Sequence, residues 1–511
     1  MTTEATPDVL SAELDTAFAA FADRPALIDE TGASMTYAQL NAMANRYAHA
    51  LAASGVGPGD RVMVQVAKSV SNLALYIATL KAGAVYNPLN TAYTPAELDY
   101  FMGDAEPSLL VIDPKAADAL MPLARQNAVG AVRMLDANGD GDLADLAADQ
   151  SDAFETVPRA ASDLAALLYT SGTTGRSKGA MITHENLASN ARTLVELWRF
   201  TADDRLLHAL PIFHVHGLFV ASNVSLLAGA SMIWLPRFDA EQVVDLMPQA
   251  TAMMGVPTFY TRLLATDRFT KDAAASMRLF VSGSAPLLAE THDAFADRTG
   301  HRILERYGMT EAGMITSNPY KGERRAGTVG YALDCVSVRI ADEGGTEQGV
   351  GDVGVLEVKG PNVFAGYWRN PEKTAEDFRE DGYFISGDLA TAEEDGRITI
   401  VGRAKDLIIS GGYNVYPKEI ETELNDLAGI SESAVIGVPH ADFGEGVVAV
   451  VTLAPGEATL SEEAILSRLQ GRLAKFKLPK RILIADELPR NAMGKVQKNV
   501  LRDAHAALLT S

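Results

Sequence analysis

Strand-like and helix-like patterns alternate, with short connections, along the first hundred residues. The β-rich run Arg61–Val66 is followed by a helical pattern between Leu73 and Leu80, and then by the apolar run Ala84–Tyr86. Such alternation favours a parallel sheet flanked by helices, because each crossover has to return the next strand alongside the last. Val256–Glu311 repeats the pattern, and the capping-box spacing of Thr36–Gln39 predicts the start of a helix. We therefore predict an α/β fold.

The later part of the chain has a different composition. Gly344–Ile400 is rich in glycine and in short Val, Ile and Tyr runs, which is typical of a distorted β-barrel or an antiparallel sheet. Between residues 471 and 503 there are nine basic residues and only three acidic ones. The chain has 511 residues, more than the roughly 250–300 that one core can serve, so we expect two domains. We place a large N-terminal domain at residues 1–404 and a small α+β domain at residues 405–511.

The charge of the chain restricts its partners. Forty-four Lys and Arg against sixty-six Asp and Glu leave a net charge of −22, which disfavours nucleic acid and anionic membranes as partners. Leu206–Pro236 has no Asp, Glu, Lys or Arg, but Pro211, Gly217 and three histidines would be unsatisfied in lipid, so we expect a buried pocket wall. Cys335 is the only cysteine, and the first residues have no secretory pattern. We expect a cytoplasmic monomer or homodimer that acts on small molecules.

The strongest local signal is Tyr169–Gly179, which reads YTSGTTGRSKG. Its glycines let backbone N–H groups turn towards one point, four hydroxyls add donors, and Lys178 adds charge, so the segment suits a polyphosphate. It is not a Walker A loop, because Lys178 is followed by a glycine and a β-rich run rather than by Ser or Thr and a helix. The simpler alternative is a flexible Gly/Ser/Thr hairpin.

This loop resembles the phosphate loop of the adenylate-forming superfamily, which includes acyl-CoA synthetases, peptide-synthetase adenylation domains and firefly luciferase. Further segments resemble the other motifs of that superfamily, in the same order along the chain: Ser282–Pro286, Glu305–Glu311, Tyr383–Asp388, Gly402–Arg403, Ser410–Asn414 and Asn491–Lys495. The resemblance narrows to the malonyl-CoA synthetase family, over nearly the whole chain, through Pro211–Phe219, Met277–Leu288, Leu304–Glu311, Gly437–Gly446 and Leu488–Lys498.

The resemblance implies that the chain joins malonate to coenzyme A with ATP and Mg²⁺, through malonyl-AMP. It also implies that the small domain is mobile and rotates about a hinge at Lys405. The implied catalytic residues are Lys495, Thr310, Glu311 and His214, and the implied metal ligands are Thr174 and Glu311. The implied ATP- and AMP-binding residues are Thr170, Ser171, Gly172, Thr173, Thr174, Gly175, Lys178, Gly283, Ser284, Ala285, Pro286, Glu305, Arg306, Tyr307, Gly308, Met309, Asp388 and Arg403. The implied coenzyme A residues are Gly411, Gly412, Arg472, Lys475 and Lys477.

These residue types suit the implied chemistry. A carboxylate and the α-phosphate of ATP are both anions, so Lys495, Thr310 and Mg²⁺ would supply positive charge and donors where the transition state forms. Glu311 is a hard oxygen ligand of the kind that Mg²⁺ prefers. Asp388 can accept hydrogen bonds from both ribose hydroxyls. For the basic run near Arg472, a solvated helix face is an equally good interpretation.

The acyl pocket is expected to contain His214, Arg262, Ser284 and Met309. A guanidinium facing this pocket would be a bidentate clamp for a second carboxylate, and the resemblance gives that role to Arg262. The alternative is a helix arginine that faces solvent, and Arg278 and Arg302 are further candidate clamps.

Tolerance for 2-substituted malonates stays open. Val215 stands where the family commonly has threonine, and Ala312 and Gly313 follow the glutamate where a polar pair is more usual.

Other functions are also open. The chain could be a ligase for methylmalonate or for another short, medium-chain or aryl carboxylate, or a noncatalytic nucleotide-binding protein. A further hypothesis makes Cys335 a covalent acyl carrier.

Two apparent metal-binding motifs do not have the required ligands. Asp136–Gly141 resembles the start of an EF-hand loop but has Ala147 at the twelfth position, and His214 and His216 lack further zinc ligands.

Overall fold

The structure is a computed structural model, and it describes residues 9–170, 177–410, 413–440, 443–454, 460–470, 472–473, 475–491 and 494–510. The strands within these residues are β1 (Pro25–Ile28), β2 (Ser34–Thr36), β3 (Arg61–Gln65), β4 (Val85–Pro88), β5 (Leu109–Ile112), β6 (Ala131–Met134), β7 (Leu164–Thr170), β8 (Lys178–Thr183), β9 (Arg205–His208), β10 (Ser231–Trp234), β11 (Ala252–Gly255), β12 (Leu279–Ser282), β13 (Leu304–Met309), β14 (Gly313–Ser317), β15 (Tyr331–Ala332), β16 (Ser337–Ala341), β17 (Gly354–Lys359), β18 (Phe384–Ala392), β19 (Ile398–Arg403), β20 (Ile408–Ser410), β21 (Tyr413–Val415), β22 (Ile430–His440), β23 (Gly444–Leu453) and β24 (Arg481–Ile484).

The α-helices of the same residues are α1 (Leu10–Ala20), α2 (Tyr37–Ala53), α3 (Val70–Lys81), α4 (Pro95–Ala105), α5 (Ala117–Gln126), α6 (Asp142–Ala148), α7 (His184–Leu197), α8 (Asn223–Ala228), α9 (Ala240–Leu246), α10 (Pro257–Leu264), α11 (Ala289–Thr299), α12 (Pro371–Asp377), α13 (Pro417–Asn425), α14 (Glu462–Leu469) and α15 (Lys498–His505). A π-helix, His216–Ser222, leads directly into α8.

Two helix-flanked sheets form most of the N-terminal part. The nine-stranded sheet has the order β15-β14-β13-β12-β11-β9-β10-β1-β2, and its central strands, from β13 to β1, are parallel. The six-stranded sheet has the order β6-β5-β3-β4-β7-β8, with only the edge strand β8 antiparallel. The predicted α/β alternation is therefore confirmed, and so is the capping box that begins α2 at Thr36.

The remaining strands form two smaller sheets. Strands β16 to β19 make a four-stranded antiparallel sheet, which is the second of the two arrangements that the glycine-rich composition indicated. Strands β20 to β24 make a separate sheet with its own apolar cores, packed against α13, α14 and α15. We call the part up to Arg403 the large lobe and the part from Ile408 the small lobe.

The uncharged segment Leu206–Pro236 is almost entirely buried, as expected of a pocket wall. It forms β9, the π-helix, α8 and β10. Among the described residues, no helix is both long and apolar enough to cross a membrane.

Candidate active site

The candidate site lies where the parallel strands of the nine-stranded sheet end. In open α/β sheets, ligands bind beyond the carboxyl ends of the strands. The connections that follow β9, β11 and β12 carry His214, Thr258 and Ser284, and β13 ends at Met309. This edge therefore brings together segments that lie almost a hundred residues apart.

Arg306 on β13 is buried and lacks partners. The residue is 4% exposed, and its Nε and Nη2 atoms have no hydrogen-bond partner within the part of the chain that the structure describes. Loss of hydration lowers the pKa of this guanidinium to about 9. Gly283 makes room for it, because a Cβ there would lie 2.3 Å from the guanidinium carbon. A buried cation with unsatisfied donors suits an anionic ligand.

Two histidines lie close to this guanidinium. Burial, followed by the charges of Arg306 and Lys495, lowers the pKa of His214 to about 4, so its imidazole is neutral at pH 7. The backbone N–H of His216 donates to His214 Nδ1 at 3.3 Å, and His216 Nδ1 lies 3.2 Å from the Ser284 hydroxyl. Ser284 has a positive φ of 71°, a strained conformation for a residue with a side chain. His214 and Ser284 thus share one polar wall with Arg306.

Glu311 closes another side of the site. It is 7% exposed, and burial raises the pKa of its carboxyl. The Thr170 hydroxyl donates to its Oε1 at 3.3 Å, and the Tyr367 hydroxyl approaches the same atom at 3.4 Å. Thr170 pairs with Lys178 across β7 and β8, and Lys178 Nζ lies 4.5 Å from the centroid of the Tyr367 ring.

These contacts leave the Glu311 carboxylate weakly satisfied, which fits a hard cation such as Mg²⁺. No group of three or more acidic, His or Cys side chains among the described residues could hold a metal by itself. A cation here would therefore need oxygen ligands from a bound molecule or water.

Asp388 is held from two sides. Arg403, its partner across β18 and β19, places Nε 2.7 Å from Oδ1, and the Tyr307 hydroxyl donates to Oδ2 at 2.5 Å. Asp388 is only 3% exposed. These contacts orient a buried carboxylate at the cleft where the two lobes meet.

Lys495 reaches this cleft from the small lobe. The residue keeps contact with solvent, but desolvation of the ammonium, followed by the charge of Arg403, lowers its pKa to about 8. Asp388 acts in the opposite direction, and the charge of Lys495 in turn lowers the pKa of His214. A Cβ on the preceding Gly494 would lie 3.7 Å from the Thr258 hydroxyl of α10. The structure therefore brings together Lys495, Asp388, Arg403 and His214 from both lobes.

The other predicted residues of the β13 hairpin occupy nearby positions. Burial raises the pKa of Glu305 to about 8, and the N–H of Gly327 donates to its carboxyl at 3.2 Å. Gly308 has no room for a side chain, because a Cβ would lie 2.1 Å from the Gly313 carbonyl oxygen. Thr310 and Val215 line a small cavity of about 10 Å³. Met309 is partly buried, with its sulfur 4.0 Å from the Tyr307 hydroxyl.

The turn after β12 completes the predicted nucleotide side. Ala285 is partly buried and Pro286 is exposed.

Several predicted residues lie outside the described residues, and their roles stay predictions: Ser171, Gly172, Thr173, Thr174, Gly175, Gly411 and Gly412. The basic side chains near Arg472 are described. Arg472 pairs with Glu423 at 3.3 Å and Lys477 with Glu419 at 2.5 Å, both on α13, while Lys475 is exposed. Lys405 is exposed on the turn that joins the lobes.

The three candidate arginine clamps do not share one environment. Arg262 is exposed in the last turn of α10. Arg278 donates two hydrogen bonds of 2.7 Å to the carboxylate of Asp204. Arg302 is exposed and lies 3.7 Å from Asp293. The burial of Arg306 was missed from the sequence, where this residue was assigned to the nucleotide side. No local feature of the sequence indicates this burial, because the close approach of Gly283 to Arg306 arises only in the fold.

Residues 14–368 match the model of a family described as AMP-binding enzyme, and residues 419–495 match that of the AMP-binding enzyme C-terminal domain. The chain belongs to the AMP-binding enzyme family. Among its relatives, a feruloyl-CoA synthase from an Amycolatopsis species is 38% identical, covering 92% of this chain and 94% of the relative. A malonate–CoA ligase from Arabidopsis thaliana is 36% identical, covering 87% of this chain and 78% of the relative.

Two solved structures resemble the chain still more closely. ATP-bound MatB from Rhodopseudomonas palustris is 56% identical, covers 98% of this chain and 100% of its own, and has a TM-score of 0.95. The apo form of that protein is 57% identical over the same coverage, with a TM-score of 0.84. The predicted family and the fold, a large N-terminal and a small C-terminal domain, are therefore confirmed.

Proposed function

We propose that this AMP-binding enzyme is a malonate–CoA ligase that forms AMP and pyrophosphate. The observation that carries the choice of substrate is the buried, unsatisfied guanidinium of Arg306 beside His214. The only carboxylate of a monocarboxylic acid has to lie at the α-phosphate, so this cation would be left unpaired. Malonate has a second carboxylate that can pair with it. The malonate–CoA ligases among the relatives support the same substrate.

In our proposal Arg306 therefore replaces Arg262 as the clamp for the distal carboxylate. Arg262 is exposed, so a bound diacid would be held in water rather than in a dry pocket. A charge pair in a desolvated site discriminates more strongly than one at a solvated rim.

An aryl acid is the second candidate substrate, because a feruloyl-CoA synthase is 38% identical to the chain. A neutral aryl group in contact with Arg306 would leave a buried charge without a partner. Methylmalonate is a third candidate, since it differs from malonate only by a methyl group and keeps both carboxylates.

In the first half reaction, a malonate carboxylate oxygen attacks the α-phosphorus of ATP and pyrophosphate leaves. We assign Lys495 to the negative charge that develops on the transferring groups, and Thr310 and Lys178 to the phosphate oxygens. Asp388, oriented by Arg403 and Tyr307, would accept hydrogen bonds from the ribose hydroxyls. Neutral His214 can donate a hydrogen bond to the reacting carboxylate without adding charge.

The environment of Glu311 suits Mg²⁺, with Thr174 as a further proposed ligand. The ion would neutralise charge on the phosphates of bound ATP. Glu311 itself is kept in position by Thr170 and Tyr367.

In the second half reaction, the thiol of coenzyme A displaces AMP. We propose that the small lobe, with its boundary between residues 404 and 405, rotates at Lys405 and withdraws Lys495. Gly411 and Gly412 would then border the pantetheine path, and Arg472, Lys475 and Lys477 would meet the phosphates. The pairs of Arg472 and Lys477 with α13 lie at the surface, so a phosphate can compete for these cations.

Two further expectations belong to the same proposal. The cytoplasm is its proposed location, because a single cysteine suits a reducing compartment. A monomer or a homodimer is the proposed assembly.

The test is ATP–pyrophosphate exchange with malonate, methylmalonate, acetate, butyrate, benzoate and ferulate, followed by AMP release with coenzyme A. Malonate is expected to give the highest kcat/KM. Arg306→Gln should lower kcat/KM for malonate by about 100-fold or more, because it removes one partner of a buried charge pair. Arg262→Gln is the matched variant, with a smaller expected effect. A preference for ferulate in the unmodified enzyme would overturn the substrate, and the absence of AMP release with any acid would favour a noncatalytic nucleotide-binding protein.

A further inference from the structure

Lys68 links the two large sheets below the candidate site. It follows β3 of the six-stranded sheet, and its Nζ donates to the carbonyl oxygen of His208 at 2.7 Å. The same Nζ lies 2.8 Å from His208 Nδ1 and 4.2 Å from the centroid of the Trp234 ring. His208 and Trp234 end the neighbouring strands β9 and β10 of the nine-stranded sheet. Lys68 thus joins the carboxyl edges of both sheets.

This lysine has no carboxylate partner among the described residues. Desolvation lowers its pKa well below the ordinary value of a lysine. The ammonium also lies over the face of the Trp234 indole, a cation–π arrangement. Removing an ammonium from water without a counter-ion costs free energy. An apolar side chain at this position could pack here without that cost, so packing alone does not explain a lysine.

His208 connects Lys68 to the wall of the acyl pocket. It is 1% exposed, and desolvation together with the charge of Lys68 lowers its pKa, so the ring is neutral. Its Nε2 lies 2.9 Å from the Gly217 carbonyl oxygen, which can only accept, so Nε2 carries the proton. Nδ1 is then the acceptor that faces Lys68, which fixes the tautomer and the tilt of the ring.

The acceptor belongs to the first turn of the π-helix. The Gly217 carbonyl oxygen also accepts from the Ser222 hydroxyl at 2.9 Å, so two side chains hold this turn of the π-helix. Gly217 packs tightly on the preceding loop, since a Cβ there would lie 2.0 Å from the Pro211 carbonyl oxygen. His216 begins this turn and contacts Ser284, and His214 precedes it by two residues. The chain from Lys68 through His208 therefore ends on the acyl-pocket wall.

We propose that Lys68 and His208 are positioning residues for the acyl pocket. They hold the first turn of the π-helix where His214 and His216 would face the carboxylate substrate. The inference rests on the proposed function, because the effect is measured on the acid that the enzyme adenylates.

The deciding experiment compares Lys68→Met, His208→Leu and the double variant by pyrophosphate exchange. Lys68→Met keeps the apolar stem and removes the donors. It should raise KM for malonate about tenfold or more and leave KM for ATP within twofold, because small misplacements of a positioning group are costly. Lys68→Met should have a smaller effect in the His208→Leu background than in the unmodified protein, since part of the contact of Lys68 is made with the His208 ring. An unchanged malonate KM in Lys68→Met, or fully multiplicative effects in the double variant, would overturn the inference.

Two controls separate positioning from general destabilisation. Lys81→Met removes another buried lysine, which is paired with Asp15 and is the last residue of α3, and should lower stability without changing the ratio of the two KM values. His208→Gln can still donate to Gly217 and accept from Lys68, whereas the shorter His208→Asn cannot span both partners. The glutamine variant should keep a nearly normal malonate KM and the asparagine variant should not, even if Lys68→Met fails to fold.

The result also separates the two proposals. If the unmodified enzyme adenylates another acid instead of malonate, the proposed substrate is wrong, and the same variants are measured with that acid. Equal KM values for that acid in the unmodified and Lys68→Met proteins would then overturn the positioning role itself.

Discussion

The guanidinium of Arg306 occupies the space that a side chain on Gly283 would need. A Cβ on Gly283 would lie 2.3 Å from the guanidinium carbon and 2.4 Å from Nη1. Arg306 lies on β13, and Gly283 lies in the turn that follows the adjacent parallel strand β12. The backbone therefore offers little freedom to separate the two residues. The position of the buried cation therefore depends on the absence of one methyl group.

Gly283→Ala is expected to displace Arg306 and raise KM for malonate by about tenfold or more, because the new contact is far shorter than van der Waals distance. Malonate-dependent and ATP-dependent initial rates measure the two KM values separately. Gly32→Ala, in the exposed turn between β1 and β2, provides a control glycine with open space around its Cβ, although its positive φ costs some stability. A malonate KM that does not change in Gly283→Ala would show that Arg306 does not hold the acid.

Lys495→Ala should abolish malonyl-AMP formation and spare thioester formation from supplied malonyl-AMP. The reason is that Lys495 would stabilise the adenylation transition state and leave the site before the thiol attacks. Pyrophosphate exchange measures the first step, and release of AMP from malonyl-AMP with coenzyme A measures the second. Equal loss of both steps would contradict this division of roles.

The pH dependence of the first step should report Lys495. Its pKa is lowered to about 8, and the charged form is the active one, so kcat/KM for ATP should fall as the pH rises above about 8. Lys495→Arg keeps its charge at high pH, so this variant should be slower but should lack the alkaline decline. Pyrophosphate exchange between pH 6.5 and 10 measures both profiles. The same alkaline limb in both proteins would assign the titration to another group.

Glu305 should make stability depend on pH. Its folded pKa of about 8 lies above the ordinary value of 4.5, so the folded state binds a proton that the unfolded state releases between these values. The stabilising contribution of the protonated carboxyl is complete below pH 4.5 and is lost as the pH rises to 8.

Glu305→Gln copies the neutral form, so its stability relative to the unmodified protein should increase by at least about 1 kcal/mol between pH 5 and pH 8. Chemical denaturation at pH 5, 6.5 and 8 measures the difference. Glu394 is exposed, so Glu394→Gln is the control for replacing a glutamate that remains in water. A difference that stays constant with pH would mean that Glu305 is already ionised in the folded protein.

Cys335→Ser should leave both half reactions within about twofold of the unmodified enzyme, because this half-buried thiol contacts Thr193, which has no assigned role in catalysis. Its Sγ lies 3.3 Å from the Thr193 hydroxyl, in a surface groove of about 410 Å³ bordered by Glu196 and Asp334. Mass spectrometry during turnover is expected to detect no malonyl group on Cys335. A covalent adduct on this residue would revive the acyl-carrier hypothesis.

The sequence predicted most of the fold because alternating strands and helices have few ways to pack. The capping box at Thr36 and the buried segment between Leu206 and Pro236 are local properties of the chain. The site was harder to predict, since the environment of a side chain depends on distant residues. Arg306 and Gly283 are twenty-three residues apart in a sequence that shows neither burial nor missing partners. The contact between Lys68 and His208 joins residues of two different sheets, and no local sequence pattern predicts it.

The approach of Gly494 to Thr258 places the lysine-bearing turn directly on the first turn of α10. The small lobe thus meets the large lobe on the acyl side of the cleft as well as on the nucleotide side. A mixed anhydride formed beneath this contact would be shielded from bulk water by the same segment that promotes its formation. Wasteful hydrolysis would become possible only when that segment moves away and the thiol can enter.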